Sequence, residues 1–266
     1  TGPLTLYSSQ SGHSFDYNIG FIDRTGRWLT EPIYTFARDF SEGLSAVRTK
    51  ENKFGFIDKS GKLKIEAKFD WAESFSNGLA AVFFHGKHGF IDKEGRYVVK
   101  PKYANAHTFS EGLACVKIGG RVYKPSFGVH LITTGGEDLN YGYIAVTGRI
   151  VFRIRAFGCQ PFSEGLARVE INGKWGFIDK TGRAVFSSDI DAASDFSEGL
   201  ARVFVTGESG GFGFIDHSGK VVLISQFPFV SDFKNGLAQI ADNIRLYDAG
   251  YGYIDKTGTV IWPPTK

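Results

Sequence analysis

The chain has no methionine and only two cysteines, Cys115 and Cys159. Two cysteines are too few for a disulfide-built scaffold, so apolar packing must hold the fold. Proline is scarce, at 8 residues against 34 glycines. No apolar run approaches the roughly 18 residues of a membrane helix, which excludes a helical membrane span. A basic block is missing as well. The net charge of +3 is spread along the chain, which gives nucleic acid little to grip. There is no G-x-S-x-G elbow and no phosphate loop. "GGFGFID" at Gly210 lacks the context of a dinucleotide fingerprint. The start at Thr1, without a methionine, points to a processed or engineered N-terminus. A removed export signal sets the expectation of an exported or periplasmic protein, with the cytoplasm as the alternative.

What the chain does have is phenylalanine, 25 copies, and a repeat. The glycine of a "GFID" motif falls at Gly20, Gly55, Gly89, Gly142, Gly176, Gly213 and Gly252. The glycine of an "FSEGL" motif falls at Gly43, Gly78, Gly112, Gly165, Gly199 and Gly236. From GFID to the next FSEGL the distance is 23 residues all six times; from FSEGL to the next GFID it is 12, 11, 30, 11, 14 and 16. A fixed length implies that packing holds both ends. A free length implies a loop that returns to its start and tolerates insertion at small entropic cost. Every insertion lies between an "LAxV" strand and a "GFID" strand, so the variable loops are expected on one face. "PLTL" at Pro3–Leu6 supplies a seventh copy of the first strand, followed by the loop Tyr7–Asn18.

"LAxV" and "FGFID" are short apolar runs bounded by turn residues, which reads as strand. "NGK" at Asn172–Lys174 is a tight hairpin signal. Asp179–Gly182 reads as a capped turn with glycine in the left-handed position. "RAVF", "KVVL" and "TVIW" are copies of a third strand. Glycine weakens a strand interior, so its presence in all seven GFID copies predicts the close approach of a backbone or an aromatic ring. The module is a three-stranded antiparallel meander of about 35 residues, too small to stand without stacked neighbours. The fold class is therefore all-β, a repeat protein of seven three-stranded antiparallel modules over residues 1–266. The modules run at about 3–31, 43–66, 78–100, 112–153, 165–187, 199–224 and 236–262. Closure into a propeller-like ring is expected, with an open β superhelix as the alternative.

The recurring "NGKWGFIDKTG…FSEGLA" pattern resembles the bacterial WG-repeat family, named for the pair seen here as Trp175-Gly176. Phe54, His88, Tyr141, Phe212 and Tyr251 stand at the Trp position in other copies. The resemblance implies an all-β binding protein and carries no catalytic motif. It also implies that some such proteins serve as immunity proteins that block a toxin, for which a phospholipase effector is the expectation here. The alternative is a cell-surface lectin, which would use the same exposed residues in every module.

The repeated polar residues have complete local explanations. Asp23, Asp58, Asp92, Asp179, Asp216 and Asp255 share one position, broken only by Ala145, and read as turn caps rather than a metal-binding ring. Glu42, Glu111, Glu164 and Glu198 read as turn or surface residues, with Asn77 and Asn235 in their place elsewhere. His85 and His88 lack further metal ligands nearby in sequence. Cys159 takes the place of Ala37, Ala72, Ala106 and Ala193, a buried position. Cys115 aligns with Ala46, Ala81, Arg168, Arg202 and Gln239, a variable and outer one, so opposite faces argue against a bridge. No cofactor, metal or catalytic group is expected, and a small-molecule ligand is not.

Function is then expected where the repeat breaks. The loop from Lys117 to Asn140 is 19 residues longer than the shortest version and carries Arg121, Tyr123, Lys124, Phe127, His130, Glu137 and Asp138. Phe204–Gly211 and Ala241–Gly250 are also long, and the latter holds Asp242, Arg245 and Tyr247. Mixed Arg, Tyr and Asp on long loops is the composition of a surface that binds a protein partner.

Overall fold

The computed structural model describes residues 4–9, 17–119, 140–171, 173–190, 192–205, 211–243 and 250–265. Among them there are strands and no α-helix. The strands form seven antiparallel sheets in chain order. The first has three strands, Leu4–Ser9, Tyr17–Ile22 and Trp28–Tyr34. Each of the other six has four. The second is typical: Phe36–Ala37, Leu44–Arg48, Phe54–Asp58 and Leu63–Phe69. The expected meander is the last three of these. The addition is the two-residue edge strand, contributed by the segment before FSEGL and paired Phe36↔Arg48 and Ala37↔Val47. Two residues carry no periodicity, so this strand has no signature in the sequence. Among the described residues the backbone ladders between strands stay within the individual sheets.

By contacts the chain divides into two compact units, Thr1–Leu131 with Gly142–Val151, and Ile132–Tyr141 with Phe152–Lys266. In both, the cores lie between consecutive sheets. In the first unit, Phe54, Phe56, Ile65 and Phe69 of the second sheet join Trp71, Phe75, Val82 and Ile91 of the third. In the second unit, Phe214 of the sixth sheet joins Val230, Phe233, Ile240 and Ile254 of the seventh. The aromatic after the GFID glycine meets the FSEGL phenylalanine of the next module edge to face: Phe21 on Phe40, Phe56 on Phe75, Phe90 on Phe109 and Phe177 on Phe196, with centroids 4.9–5.4 Å apart. Each fully buried phenylalanine contributes about 1.5–3 kcal/mol, and edge-to-face pairing adds to it.

The GFID glycine is needed because the third strand bulges over it. In the second sheet Phe54 pairs with Phe69 but Phe56 with Ile65, so extra residues of the third strand arch across Gly55. A methyl group there would sit 2.6 Å from the Ile65 carbonyl oxygen and 2.8 Å from the Ala67 backbone. The predicted close approach is therefore that of the module's own backbone.

The FSEGL turns stitch module to module. Glu42, Asn77, Glu164 and Glu198 have φ of 51–55°, which throws their side chains toward the next turn. Glu42 accepts from Gly78 N–H (3.0 Å), Asn77 from Gly112 (2.6 Å), Glu164 from Gly199 (2.8 Å) and Glu198 from Gly236 (2.9 Å). Alongside, Ser41, Ser76, Ser163 and Ser197 donate to the carbonyls of Phe75, Phe109, Phe196 and Phe233 at 2.6–2.8 Å. The cation after GFID closes the rung: Lys93 lies 3.1 Å from Glu42 and Lys256 3.3 Å from Glu198.

The reading of Cys115 as an outer residue is overturned. Cys115 and Cys159 are 0% and 1% exposed, and neither is a free thiol, both being disulfide-bonded. The reason shows at the same position of later modules. Arg168 donates to the carbonyl of Ala193 and Arg202 to that of Val230 (3.0 Å), both in the next module's short strand. This position varies in sequence because it faces a neighbour, not because it faces solvent.

Candidate functional site

Each turn aspartate is consumed by its own turn. The Asp23 carboxylate oxygen accepts from Thr25 N–H (2.8 Å), the Thr25 hydroxyl (2.7 Å) and Arg27 N–H (3.0 Å). Asp58, Asp179, Asp216 and Asp255 repeat this with Ser60, Thr181, Ser218 and Thr257. The hydroxyl bond, with the backbone donors, holds each of these carboxyls below the ordinary value. At Asp92 burial opposes ionisation, but bonds from Arg96 and Glu94 N–H outweigh it and the shift is also downward. Ala145 keeps the turn's backbone bonds, from Gly148 N–H to its carbonyl (2.8 Å) and from its own N–H to Arg149 (2.9 Å). The aspartates are caps, and among the described residues no three His, Cys, Asp or Glu side chains gather into a metal-binding group. His85 and His88 are turned to aromatic neighbours, Phe84 at 4.0 Å and Phe83 at 4.8 Å.

The Arg side chains between modules are occupied in the same way. Arg38 bonds the Ala72 carbonyl (3.2 Å) and Glu73 (2.7 Å), with Phe36 and Trp71 under its guanidinium. Arg168 pairs with Asp195 at 2.7 Å over Trp175, and Arg202 with Asp232 at 3.1 Å over Phe212. Sequence inspection missed these cross-module pairs and the Glu–Gly rungs. Their signal was the module spacing itself, since Glu42 and Gly78 are one repeat apart.

The segments that depart from the repeat are the loops joining the first long strand of each sheet to the GFID strand. They leave every sheet at the same end. In the third sheet the connection is minimal: Phe84 pairs with Lys87 across His85-Gly86, whose φ values of 50° and 75° are those of a tight hairpin. In the fourth it expands to the 117–140 loop, with the buried Lys117 at its mouth. Of the predicted contact residues, Arg121, Tyr123, Lys124, Phe127, His130, Glu137, Asp138, Arg245 and Tyr247 lie outside the described residues. Asp242 is described and exposed, and it holds the base of its loop: its carboxylate accepts from Gly250 N–H at 2.9 Å.

Consecutive antiparallel sheets with repeated rungs and variable loops define an all-β repeat scaffold. The model of the WG containing repeat matches six times, over residues 19–54, 54–87, 89–121, 141–175, 175–207 and 212–243. The chain belongs to the WG-repeat family. No curated protein matches it. Among solved structures it is similar to BamB from Moraxella catarrhalis, at 14% identity and a TM-score of 0.52, over 100% of this chain and 89% of that one. A eukaryotic initiation factor matches at 12% identity and a TM-score of 0.47, over 83% and 73% of the two chains. The WD40 beta propeller domain of Doa1 matches at 12% identity and a TM-score of 0.39, over 84% and 81%. At these identities the likeness to BamB is one of fold alone. No helix among the described residues is long and apolar enough to cross a membrane.

Proposed function

We propose that this protein is a non-catalytic scaffold that recognises a partner protein through its variable loops, chiefly 117–140 and also 241–250. The observation that carries this reading is the occupation of the repeated polar residues. Aspartates cap turns, glutamates and serines join modules, and arginines bridge sheets. A partner is then left with the segments that depart from the repeat, and these are rich in Arg, Tyr and Asp. The same occupation disfavours a lectin with one site per module.

In its finer form the partner is a secreted bacterial toxin, such as a phospholipase effector, and the protein its immunity factor. A rigid frame bearing idiosyncratic loops suits the blocking of an enzyme cleft, because little ordering entropy is lost on binding. The disulfide-bonded cysteines support residence in an oxidising compartment such as the periplasm. Thiol titration of protein taken from its native cell without reductant tests the compartment. Two blocked thiols are expected, and two reactive ones would place the protein in the cytoplasm.

The partner is tested by affinity capture from the native cell. A stoichiometric protein partner is expected with the full-length chain and none when 121–137 is replaced by Asn-Gly. Capture unchanged by the replacement moves the site elsewhere, and equivalent glycan sites in several modules would favour the lectin.

A further inference from the structure

The open edge of a sheet is a row of backbone N–H and C=O groups ready to pair with another chain, and proteins guard such edges with charge or proline. In each of the seven sheets the third long strand ends the order, with a single ladder neighbour among the described residues. Six of these seven strands carry a guard. Trp28–Tyr34 has Pro32, Leu63–Phe69 has Lys64, Tyr97–Tyr103 has Lys100 and Ile150–Arg155 has Arg153. Ala184–Ile190 has Asp189, and Val260–Thr265 has Pro263. The strand of the sixth sheet, Val221–Ile224, has none. It reads VVLI, and Ser225, Gln226 and Phe227 continue it without charge.

This edge is bare in both side chain and backbone. Val221, Val222 and Ile224 are 41%, 47% and 59% exposed, and Ile224 is the most exposed large apolar side chain among the described residues. At its position, 11 residues after the GFID glycine, the other sheets carry Glu31, Glu66, Lys100, Arg153, Ser187 and Pro263. On the inner side, Ser225 N–H donates to the Phe212 carbonyl of the neighbouring strand at 2.8 Å. Hydrogen-bonded and non-hydrogen-bonded pairs alternate along an antiparallel ladder. The next pair, Gly213↔Ile224, is therefore of the second kind, and Ile224 N–H and C=O point away from that neighbour to the open edge.

We propose that Val221–Ile224 pairs antiparallel, edge to edge, with the same strand of a second copy of this chain. An exposed ladder edge calls for another strand, and its uncharged β-branched side chains call for an uncharged apolar one. The VVLI run of a second copy meets both demands. Antiparallel pairing lays apolar run on apolar run. It puts the two copies of Lys220, the cation that precedes the run, at opposite ends of the joint, each toward the uncharged Ser225 and Gln226 of the other copy. Parallel pairing would set the two lysines side by side, which is unfavourable. The joint is isologous, so it closes at two copies. It uses none of the loop residues assigned to partner recognition. The contact is small, so the dimer is weak and depends on concentration.

The test is sedimentation of the full chain over a range of concentrations, with Ile224→Lys beside it. Lys100 holds this position in the third sheet, so the fold accepts the change. The unmodified protein should pass from monomer to dimer as concentration rises. The variant should weaken that step by about 10-fold or more, because each copy carries a new charge into an apolar joint. Val222→Lys, which copies Lys64 of the second sheet, should do the same, and it decides the matter if the first variant fails to fold. Hydrogen exchange at Ile224 N–H should slow in the dimer and quicken again on dilution. Three results would overturn the proposal: a monomer at every concentration, a dimer that neither lysine variant weakens, or an edge protected only when the chain captures a strand of a different protein.

Discussion

At the scale of single residues, the turn aspartates and the glycines make separate demands. The carboxyls of Asp23, Asp58, Asp179, Asp216 and Asp255 are held below their ordinary value by hydroxyl and backbone donors. Their stabilisation is complete above the unfolded value of about 3.9. It is lost as pH falls through the lower folded values. Stability measured by urea unfolding should therefore drop below about pH 4, and Asp179→Asn should make that slope shallower. A slope unchanged by the substitution would mean the carboxyl is not held in this way. The glycines divide by surroundings. Gly43 has a φ of 91° and open space around it, so Gly43→Ala should cost about 1 kcal/mol from backbone strain alone. Gly55→Ala drives a methyl group into the bulged third strand and should cost about 2 kcal/mol or more. Equal melting-temperature losses would contradict the bulge as the reason for that glycine. The aspartate caps were legible in the sequence because donor and acceptor sit within four residues. The glutamate rungs were not, because Glu42 and Gly78 meet only after two modules stack.

At the scale of elements, strands were legible wherever apolar residues alternated between turn signals. The two-residue edge strands were not, since Phe36–Ala37 and its counterparts are defined by their neighbour's register rather than by any pattern of their own. Cys115 was misplaced for the same kind of reason: a variable residue looked outward until Arg168 and Arg202 showed what its position faces. Because the cores lie between sheets, a core truncation should weaken two modules at once. Phe75→Ala removes a fully buried ring from between the second and third sheets and should cost about 3–5 kcal/mol. A loss below about 1 kcal/mol in urea unfolding would show that sheets do not depend on their neighbours. The loops behave oppositely. Replacing 121–137 by Asn-Gly shortens a connection between strands that pair in every other sheet, and longer loops cost little closure entropy. The melting temperature should stay the same or rise slightly, and a large fall would make that loop part of the frame.

At the scale of the molecule, the repeat makes the scaffold readable and the function hard to read. The 23-residue interval between GFID and FSEGL recurs because each interval spans one bulged third strand and one junction. That regularity placed the modules and the caps. It could not place the partner surface, which depends on segments that obey no interval. The central claim is that repeated residues are structural and the departures carry recognition. Its most direct measurement is quantitative capture of the native partner by three forms of the protein: unmodified, with 121–137 replaced by Asn-Gly, and with the exposed rung residue changed as Glu42→Gln. The account predicts equal capture by the first and third and none by the second. Loss of capture with Glu42→Gln and retention with the shortened loop, in folded proteins, would contradict it.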